Sequence, residues 1–179
     1  MKTALSHYLP ACLLILISLP AFTETLPPGV MRINGTTAPE LQLNNLDGEP
    51  YDLKSTQGHW RFVHFWASWC GPCRKEMPSI ERMIAALGDN ELEIVLINTA
   101  ETEDEVFTFL GIVAPELVPL MDRDGQVTEV WQPRGLPATY LVDPAGRIQY
   151  QALGGRTWEK PVYLKFLRGL NQLESQPGQ

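Results

Sequence analysis

The sequence contains few cysteines and few basic residues. Only three of its 179 residues are cysteine, which is too few for a small domain built on disulfides. The 14 Lys and Arg are outnumbered by 21 Asp and Glu, which gives a net charge of −7. A protein that binds nucleic acid needs a basic face, which this balance argues against. Hydrophobic residues make up 44% of the chain, whose length suits one globular domain. These features predict an acidic single-domain protein without a nucleic-acid partner.

A long apolar run is also missing, apart from one stretch near the N-terminus. Lys2 precedes an apolar segment over 9–22, which is shorter than a membrane-spanning helix needs. Small residues near Thr23 fit the cleavage site of a signal peptidase. We therefore predict a signal peptide over 1–23, with an uncleaved membrane anchor as the alternative. The Pro-, Gly- and Thr-rich segment 24–37 then predicts a linker or an irregular lead-in.

Removal of the leader changes the cysteine count. Cys12 and Lys2 would be lost, which leaves Cys70 and Cys73 and takes the net charge from −7 to −8. A disulfide between residues three apart closes a very short loop, so it restrains the unfolded chain little. We therefore interpret the pair as chemically reactive rather than structural, in a protein exported to an oxidising compartment.

Beyond the linker, hydrophobic periodicity predicts alternating strands and helices. A hairpin is predicted around the turn at 47–48, and a buried strand over 61–66. The next helix begins near the cysteines and ends at Gly88. A second hairpin around the turn at 143–146 precedes a final helix. This order indicates an α/β fold with a central mixed sheet and helices on both faces.

The chemistry is concentrated in the segment 69–73, Trp-Cys-Gly-Pro-Cys, which joins the predicted strand to the helix. A cysteine at a helix N-terminus faces free N–H groups and the positive end of the dipole, and both favour the thiolate. Cys73 is close enough to resolve a mixed disulfide formed on Cys70. Pro72 suits the first helical turn because it has no N–H, and Trp69 would shield one side. The segment predicts thiol-disulfide exchange.

Zinc binding is the main alternative for this segment, since two cysteines at this spacing also occur in zinc sites. Two more ligands would be needed, and without the leader only His59 and His64 remain as histidines. They are five residues apart on an extended strand and so lie on opposite faces. We therefore predict no metal and no separate cofactor; the redox group is a Cys70–Cys73 disulfide.

Three separated motifs give the chain a family resemblance. The segment 65–73, Phe-Trp-Ala-Ser-Trp-Cys-Gly-Pro-Cys, resembles the active site of the thioredoxin superfamily. Arg-Lys-Glu-Met-Pro at 74–78 resembles the exported TlpA/ResA-like branch. Gly-Leu-Pro-Ala-Thr at 135–139 resembles the loop that carries a cis-proline in this fold. The resemblance covers 38–173 and leaves 174–179 as a C-terminal tail.

The resemblance implies a thioredoxin-like fold and thiol-disulfide exchange outside the cytoplasm. By this resemblance, Cys70 is the attacking thiolate and Cys73 the resolving thiol. Pro137 is the cis-proline, and Leu136 offers backbone groups to an extended substrate strand. These roles depend on the fold, because a proline taken alone has only about a 5–6% chance of a cis bond.

The branch also suggests a direction and partners. Its members serve cytochrome c maturation, copper-site assembly or other thiol delivery, and are recharged by a membrane electron transporter. Gly71 and Pro72 are the pair found in thioredoxin, whose potential of about −270 mV marks a reductant. We predict a monomeric reductase or electron relay for disulfide-bearing envelope proteins, periplasmic or tethered to the inner membrane. A peroxiredoxin-type peroxidase and a copper-handling thiol module are the alternatives.

Two further residues have two interpretations each. Glu76 matches an acidic residue that tunes thiol acidity in this branch, or it is a solvated carboxylate stabilised by the helix dipole. His64 occupies the position of a buried aspartate in thioredoxin. In one interpretation its neutral imidazole accepts the proton of Cys73, and in the other it is a hydrogen-bonded core histidine. Burial would lower the pKa of His64, unless Glu76 is close enough to hold the cation.

Overall fold

Strands and helices alternate along the chain in the computed structural model, which describes residues 26–88 and 92–173. The strands are β1 (Val30–Thr37), β2 (Gln42–Asn44), β3 (Pro50–Asp52), β4 (Trp60–Trp66), β5 (Leu92–Thr99), β6 (Leu120–Asp122), β7 (Ala138–Val142) and β8 (Arg147–Leu153). The α-helices are α1 (Gly71–Leu87), α2 (Glu103–Val113), α3 (Gln126–Trp131) and α4 (Pro161–Leu173). Both predicted hairpins, β2–β3 and β7–β8, are present.

Six of these strands form the central sheet, in the order β1–β8–β7–β4–β5–β6. The pairs β4–β5 and β5–β6 are parallel, whereas β4–β7, β7–β8 and β1–β8 are antiparallel. The sheet is therefore mixed, as the sequence predicts. β4 lies inside the sheet, and the chain passes from its C-terminal end directly to the start of α1.

The two faces of the sheet carry different layers. Buried residues of α1, α2 and α4 pack on one face, and α3 and the β2–β3 hairpin cover the other. Every residue of β4 is buried, and its side chains alternate between the layers. Phe62 and Trp66 belong to the α1 layer, while Val63 and Phe65 belong to the opposite layer. This confirms the buried strand that the sequence predicts before the cysteines.

The predicted linker over 24–37 is wrong over most of its length. Residues 30–37 form β1, an edge strand that pairs with β8 from Val30 opposite Ala152 to Thr37 opposite Arg147. Pairing is irregular between Arg32 and Thr36, so the strand lacks the regular alternation by which strands are recognised. The sheet begins before residue 38, the predicted domain boundary.

Other predictions concern residues that the structure does not describe. The signal peptide or anchor over 1–23 and the tail over 174–179 both lie outside the described ranges. Within 26–88 and 92–173, no helix has the length and apolar character that crossing a membrane requires.

Candidate active site

The two cysteines form a disulfide at the start of α1. Cys70 is the N-cap of the helix, and its Sγ accepts the backbone N–H of Cys73 at 3.3 Å. The two Cα atoms are 5.2 Å apart. Cys70 is 6% exposed to solvent, whereas Cys73 is fully buried one turn into the helix. Cys70 is therefore the cysteine that a second protein can reach.

The neighbours of the disulfide are at the surface. Trp69 is 66% exposed, which leaves most of its indole accessible to a substrate. Gly71 and Pro72 are exposed in the first turn of α1, where a proline without an N–H is tolerated. A Cβ added to Gly155 would lie 3.2 Å from the carbonyl oxygen of Pro72, so the segment 154–158 passes close to the backbone at the helix start.

Pro137 lies at the same end of the sheet as the disulfide. The Leu136–Pro137 peptide bond is cis, as the family resemblance implies. Ala138 pairs with Phe65, so Pro137 is beside the end of β4 from which the chain proceeds to the cysteines. The carbonyl oxygen of Pro137 accepts the N–H of Gly154 at 2.8 Å. The segment 154–158 therefore lies against both the start of α1 and the loop that carries Pro137.

Glu76 is buried, so the interpretation as a solvated carboxylate is wrong. Its Oε1 accepts the N–H of Arg156 at 2.9 Å and the indole N–H of Trp158 at 2.5 Å. Burial raises the pKa of Glu76 to about 7, against the opposing effect of those two hydrogen bonds. Glu76 is therefore a carboxyl group that titrates near neutral pH, one helical turn beyond Cys73.

His64 is fully buried on the α1 side of β4. Its Nδ1 is 2.9 Å from the hydroxyl of Thr139, and its Nε2 is 3.8 Å from Oε2 of Glu76. Burial lowers the pKa of His64 to about 3, and the charge of Arg156 contributes. The lowered value agrees with the prediction for a buried imidazole. The structure thus brings together the two residues whose roles the sequence leaves open.

The residues that hold the segment before Cys70 are missing from the sequence-based prediction. Glu101 is a buried carboxylate that accepts the Ser68 N–H at 2.6 Å, the Ser68 hydroxyl, and the Asn98 amide at 2.7 Å. Arg74 donates to the Ser68 carbonyl at 2.9 Å. A signal was present, because residues that follow neighbouring parallel strands meet at one edge of a sheet. Glu101 follows β5 as Ser68 follows β4.

The contribution of Arg156 and Trp158 is also missing from the prediction. Both bind Glu76, which is 80 and 82 residues away along the chain. Trp158 is fully buried, with its ring edge-to-face against Phe62 at 4.9 Å between centroids. A tryptophan in an otherwise polar segment was the available signal, but it could not identify the partner.

The two histidines of the zinc alternative do not come together. His59 is exposed just before β4, whereas His64 is buried within it. Among the residues that the structure describes, no three His, Cys, Asp or Glu side chains are grouped as metal ligands would be.

Comparisons with known proteins agree with this geometry. Residues 34–151 match the AhpC/TSA family. The chain is 31% identical over 162 residues to the thiol-disulfide oxidoreductase ResA of Geobacillus thermodenitrificans, covering 89% of each chain. It is 29% identical over 123 residues to ResA of Bacillus subtilis, covering 69% of each. The crystal structure of a putative thiol:disulfide interchange protein DsbE from Chlorobium tepidum matches with a TM-score of 0.66 and 27% identity, over 80% of this chain and 98% of that one.

Proposed function

The chain belongs to the AhpC/TSA family and is a thiol-disulfide oxidoreductase with a thioredoxin-like fold, and from this premise we propose that it is an exported reductase or electron relay. Its substrates would be disulfide-bearing proteins of the cell envelope, such as those handled in cytochrome c maturation. The observation that carries the proposal is the Cys70–Cys73 disulfide at the start of α1, beside the cis Leu136–Pro137 bond.

We infer a role for each part of the site. In the reduced protein, the thiolate of Cys70 attacks a substrate disulfide and forms a mixed disulfide. Cys73 then attacks the sulfur of Cys70, which releases the reduced substrate. Backbone groups at Leu136 would pair with the extended substrate segment, and Trp69 would pack against it. No bound cofactor takes part in these steps.

The proposed direction depends on the two residues between the cysteines. Gly71 and Pro72 are the thioredoxin pair, and thioredoxin has a potential of about −270 mV. A reductant in an oxidising compartment needs electrons from elsewhere. We therefore propose a membrane electron transporter as the donor, with the protein acting as a monomer.

The expected result of a redox titration is a potential near that of thioredoxin. The fraction of Cys70–Cys73 disulfide would be measured by thiol alkylation and mass spectrometry in a series of dithiol buffers. Cys12→Ser in the full-length chain is the matched control, because it leaves one cysteine pair. A potential above about −180 mV, in the range of isomerases and oxidants, would contradict a reductase.

The two alternative functions have tests of their own. Consumption of peroxide by the reduced protein would indicate a peroxidase. Tight binding of copper by the reduced thiols would indicate a copper-handling module.

Export is tested at the N-terminus of the protein from cells. The short apolar segment and the small residues near Thr23 predict a mature chain that begins near Glu24 in the envelope fraction. Intact-mass spectrometry of that fraction gives the first residue directly. A mass that still includes Lys2 would indicate a tethered protein, and recovery of the full chain from the cytoplasm would contradict export.

A further inference from the structure

Two buried polar atoms near the disulfide face each other without a hydrogen bond. Among the residues that the structure describes, neither Nε2 of His64 nor Oε2 of Glu76 has a hydrogen-bond partner, and the two atoms lie 3.8 Å apart. Buried polar groups in proteins are nearly always paired, so such atoms require an explanation. The distance is longer than that of a hydrogen bond.

The other polar atoms of the two residues are already engaged. Oε1 of Glu76 accepts two N–H groups, from Arg156 at 2.9 Å and Trp158 at 2.5 Å. An oxygen that accepts two such bonds is a poor carrier of the acid proton. When Glu76 is protonated, the proton is therefore on Oε2, the oxygen that faces His64.

Thr139 lets His64 pair with either form of this carboxyl group. A threonine hydroxyl can donate or accept, and a neutral imidazole has one donor and one acceptor nitrogen. With Glu76 protonated, Oε2–H donates to Nε2, and Nδ1–H donates to the hydroxyl. With Glu76 ionised, Nε2–H donates to Oε2, and the hydroxyl donates to Nδ1. The imidazole stays neutral in both arrangements and changes only its tautomer.

An acidic residue at the position of Glu76 tunes thiol acidity in the TlpA/ResA-like branch, and in that role Glu76 takes up the proton of Cys73 during exchange. We propose that His64 is a positioning residue for this carboxyl group, and that its tautomer follows the protonation of Glu76. Cys73 is fully buried, which denies its thiol direct transfer to water. Glu76 is three residues further along α1, a spacing that places the two side chains on the same side of the helix.

The step balances for substrate reduction. The Cys73 thiol transfers its proton to Oε2 of Glu76, and the thiolate forms a bond to Sγ of Cys70. The bond between Cys70 and the substrate sulfur breaks, and that sulfur leaves with the electron pair and is protonated by solvent. Two electrons pass from the cysteine pair to the substrate. When the disulfide is reduced again, Glu76 returns the stored proton to Cys73, so the proposal holds for either direction of electron flow.

The charges around the pair suit this exchange. Burial raises the pKa of Glu76 to about 7 and lowers that of His64 to about 3, so His64 is neutral throughout the range in which Glu76 titrates. Arg156 is the charged group that acts on both residues, from the segment 154–158. From β7 the Thr139 hydroxyl contacts Nδ1 of His64, and from the segment 154–158 the Trp158 indole N–H donates to Glu76.

The test separates the two chemical steps in one reaction. Reduced protein is mixed with dithionitrobenzoate, and released thionitrobenzoate is followed by stopped-flow absorbance. Attack by Cys70 gives a first phase whose rate rises with reagent concentration. Attack by Cys73 on the mixed disulfide gives a second phase that is independent of it. Because the reagent is artificial, the result does not depend on the cellular substrate or on the proposed direction.

We expect His64→Leu to slow the second phase at neutral pH by about 10²-fold and to move its pH midpoint upward, with the first phase unchanged. His64→Gln, whose amide can donate or accept toward Glu76, is the matched control and should stay within a few-fold of wild type. Glu76→Gln should also slow the second phase and remove its dependence near pH 7. Equal slowing of both phases in His64→Leu, or an unchanged pH midpoint, would overturn the proposal.

A spectroscopic measurement on the wild-type protein covers the case in which His64→Leu does not fold. Nitrogen chemical shifts of the His64 ring distinguish the two neutral tautomers from imidazolium. We expect one tautomer to replace the other over the pH range in which Glu76 titrates, with no imidazolium. A single tautomer throughout, or imidazolium at neutral pH, would contradict the assigned role of His64.

Discussion

Replacing Cys70 by serine is expected to abolish disulfide reduction, because no other sulfur in the site can make the first attack. Cys70 caps α1, where free N–H groups and the helix dipole favour the thiolate. Cys73 is fully buried behind it, and a substrate cannot reach its sulfur. Insulin reduction by the purified variant should fall to the rate of the uncatalysed reaction.

Replacing Cys73 by serine is expected to have a different result. The first attack remains, but nothing resolves the product, so mixed disulfides accumulate on Cys70. Non-reducing electrophoresis of envelope extracts, followed by mass spectrometry, would identify the trapped proteins. The double variant Cys70→Ser/Cys73→Ser is the control for non-specific capture. Faster alkylation of Cys73 than of Cys70 in the reduced wild type would reverse the two roles.

The reactive pair could be predicted from sequence because its chemistry is local. Two cysteines three apart at a strand-to-helix junction are within bonding distance in almost any arrangement of the rest of the chain. The helix that follows supplies the N–H groups regardless of what it packs against. The cis bond before Pro137 is different, since it came from the family resemblance and not from local pattern.

The environment of Glu76 could not be predicted in this way. Arg74 and Lys75 precede it in the chain and are exposed, which made a solvated carboxylate a reasonable interpretation. Glu76 is buried because Arg156 and Trp158, from a segment about 80 residues away, pack over it. Burial of this kind depends on how α1 is oriented on the sheet, which periodicity does not specify.

The edge strand β1 shows a second limit. Its residues 30–37 include Gly35 and two threonines, and the pairing with β8 is irregular. An edge strand buries little, so selection for apolar alternation is weak. Val30 is buried against the core, but one residue does not make a pattern. Only its partner strand, more than 110 residues later, gives the segment its structure.

Folding stability is expected to be greatest between about pH 4.5 and 6.5, because His64 and Glu76 oppose each other across that window. The pKa of Glu76 is about 7 when folded and 4.5 ordinarily, so the folded protein binds more protons than the unfolded chain between these values. The contribution of Glu76 to stability is therefore lost as the pH rises from 4.5 to 7, by about 3 kcal/mol at most.

His64 acts in the opposite direction. Its pKa is about 3 when folded and 6.5 ordinarily, so the unfolded chain takes up a proton that the folded protein excludes. The contribution of His64 to stability is lost as the pH falls from 6.5 towards 3, by up to about 5 kcal/mol, and it cancels the slope of Glu76 between pH 4.5 and 6.5. Other carboxyl groups add their own acid-side loss, since hydrogen bonds to Arg147 and Gln149 hold the pKa of Asp143 below its usual value.

Difference curves separate these contributions. Urea unfolding of the oxidised protein at a series of pH values gives the free energy of unfolding for wild type, Glu76→Gln and His64→Gln. Glutamine at 76 can still accept from Arg156 and Trp158, and its amide can donate to Nε2 of His64. Wild-type stability should be nearly constant between pH 4.5 and 6.5, where the two slopes cancel. We expect that of Glu76→Gln to rise with pH over this range, because only the His64 slope remains. We expect that of His64→Gln to fall between pH 4.5 and 7, because only the Glu76 slope remains. If Glu76→Gln keeps the wild-type slope up to pH 7, Glu76 is ionised in the folded protein and cannot be storing the proton of Cys73.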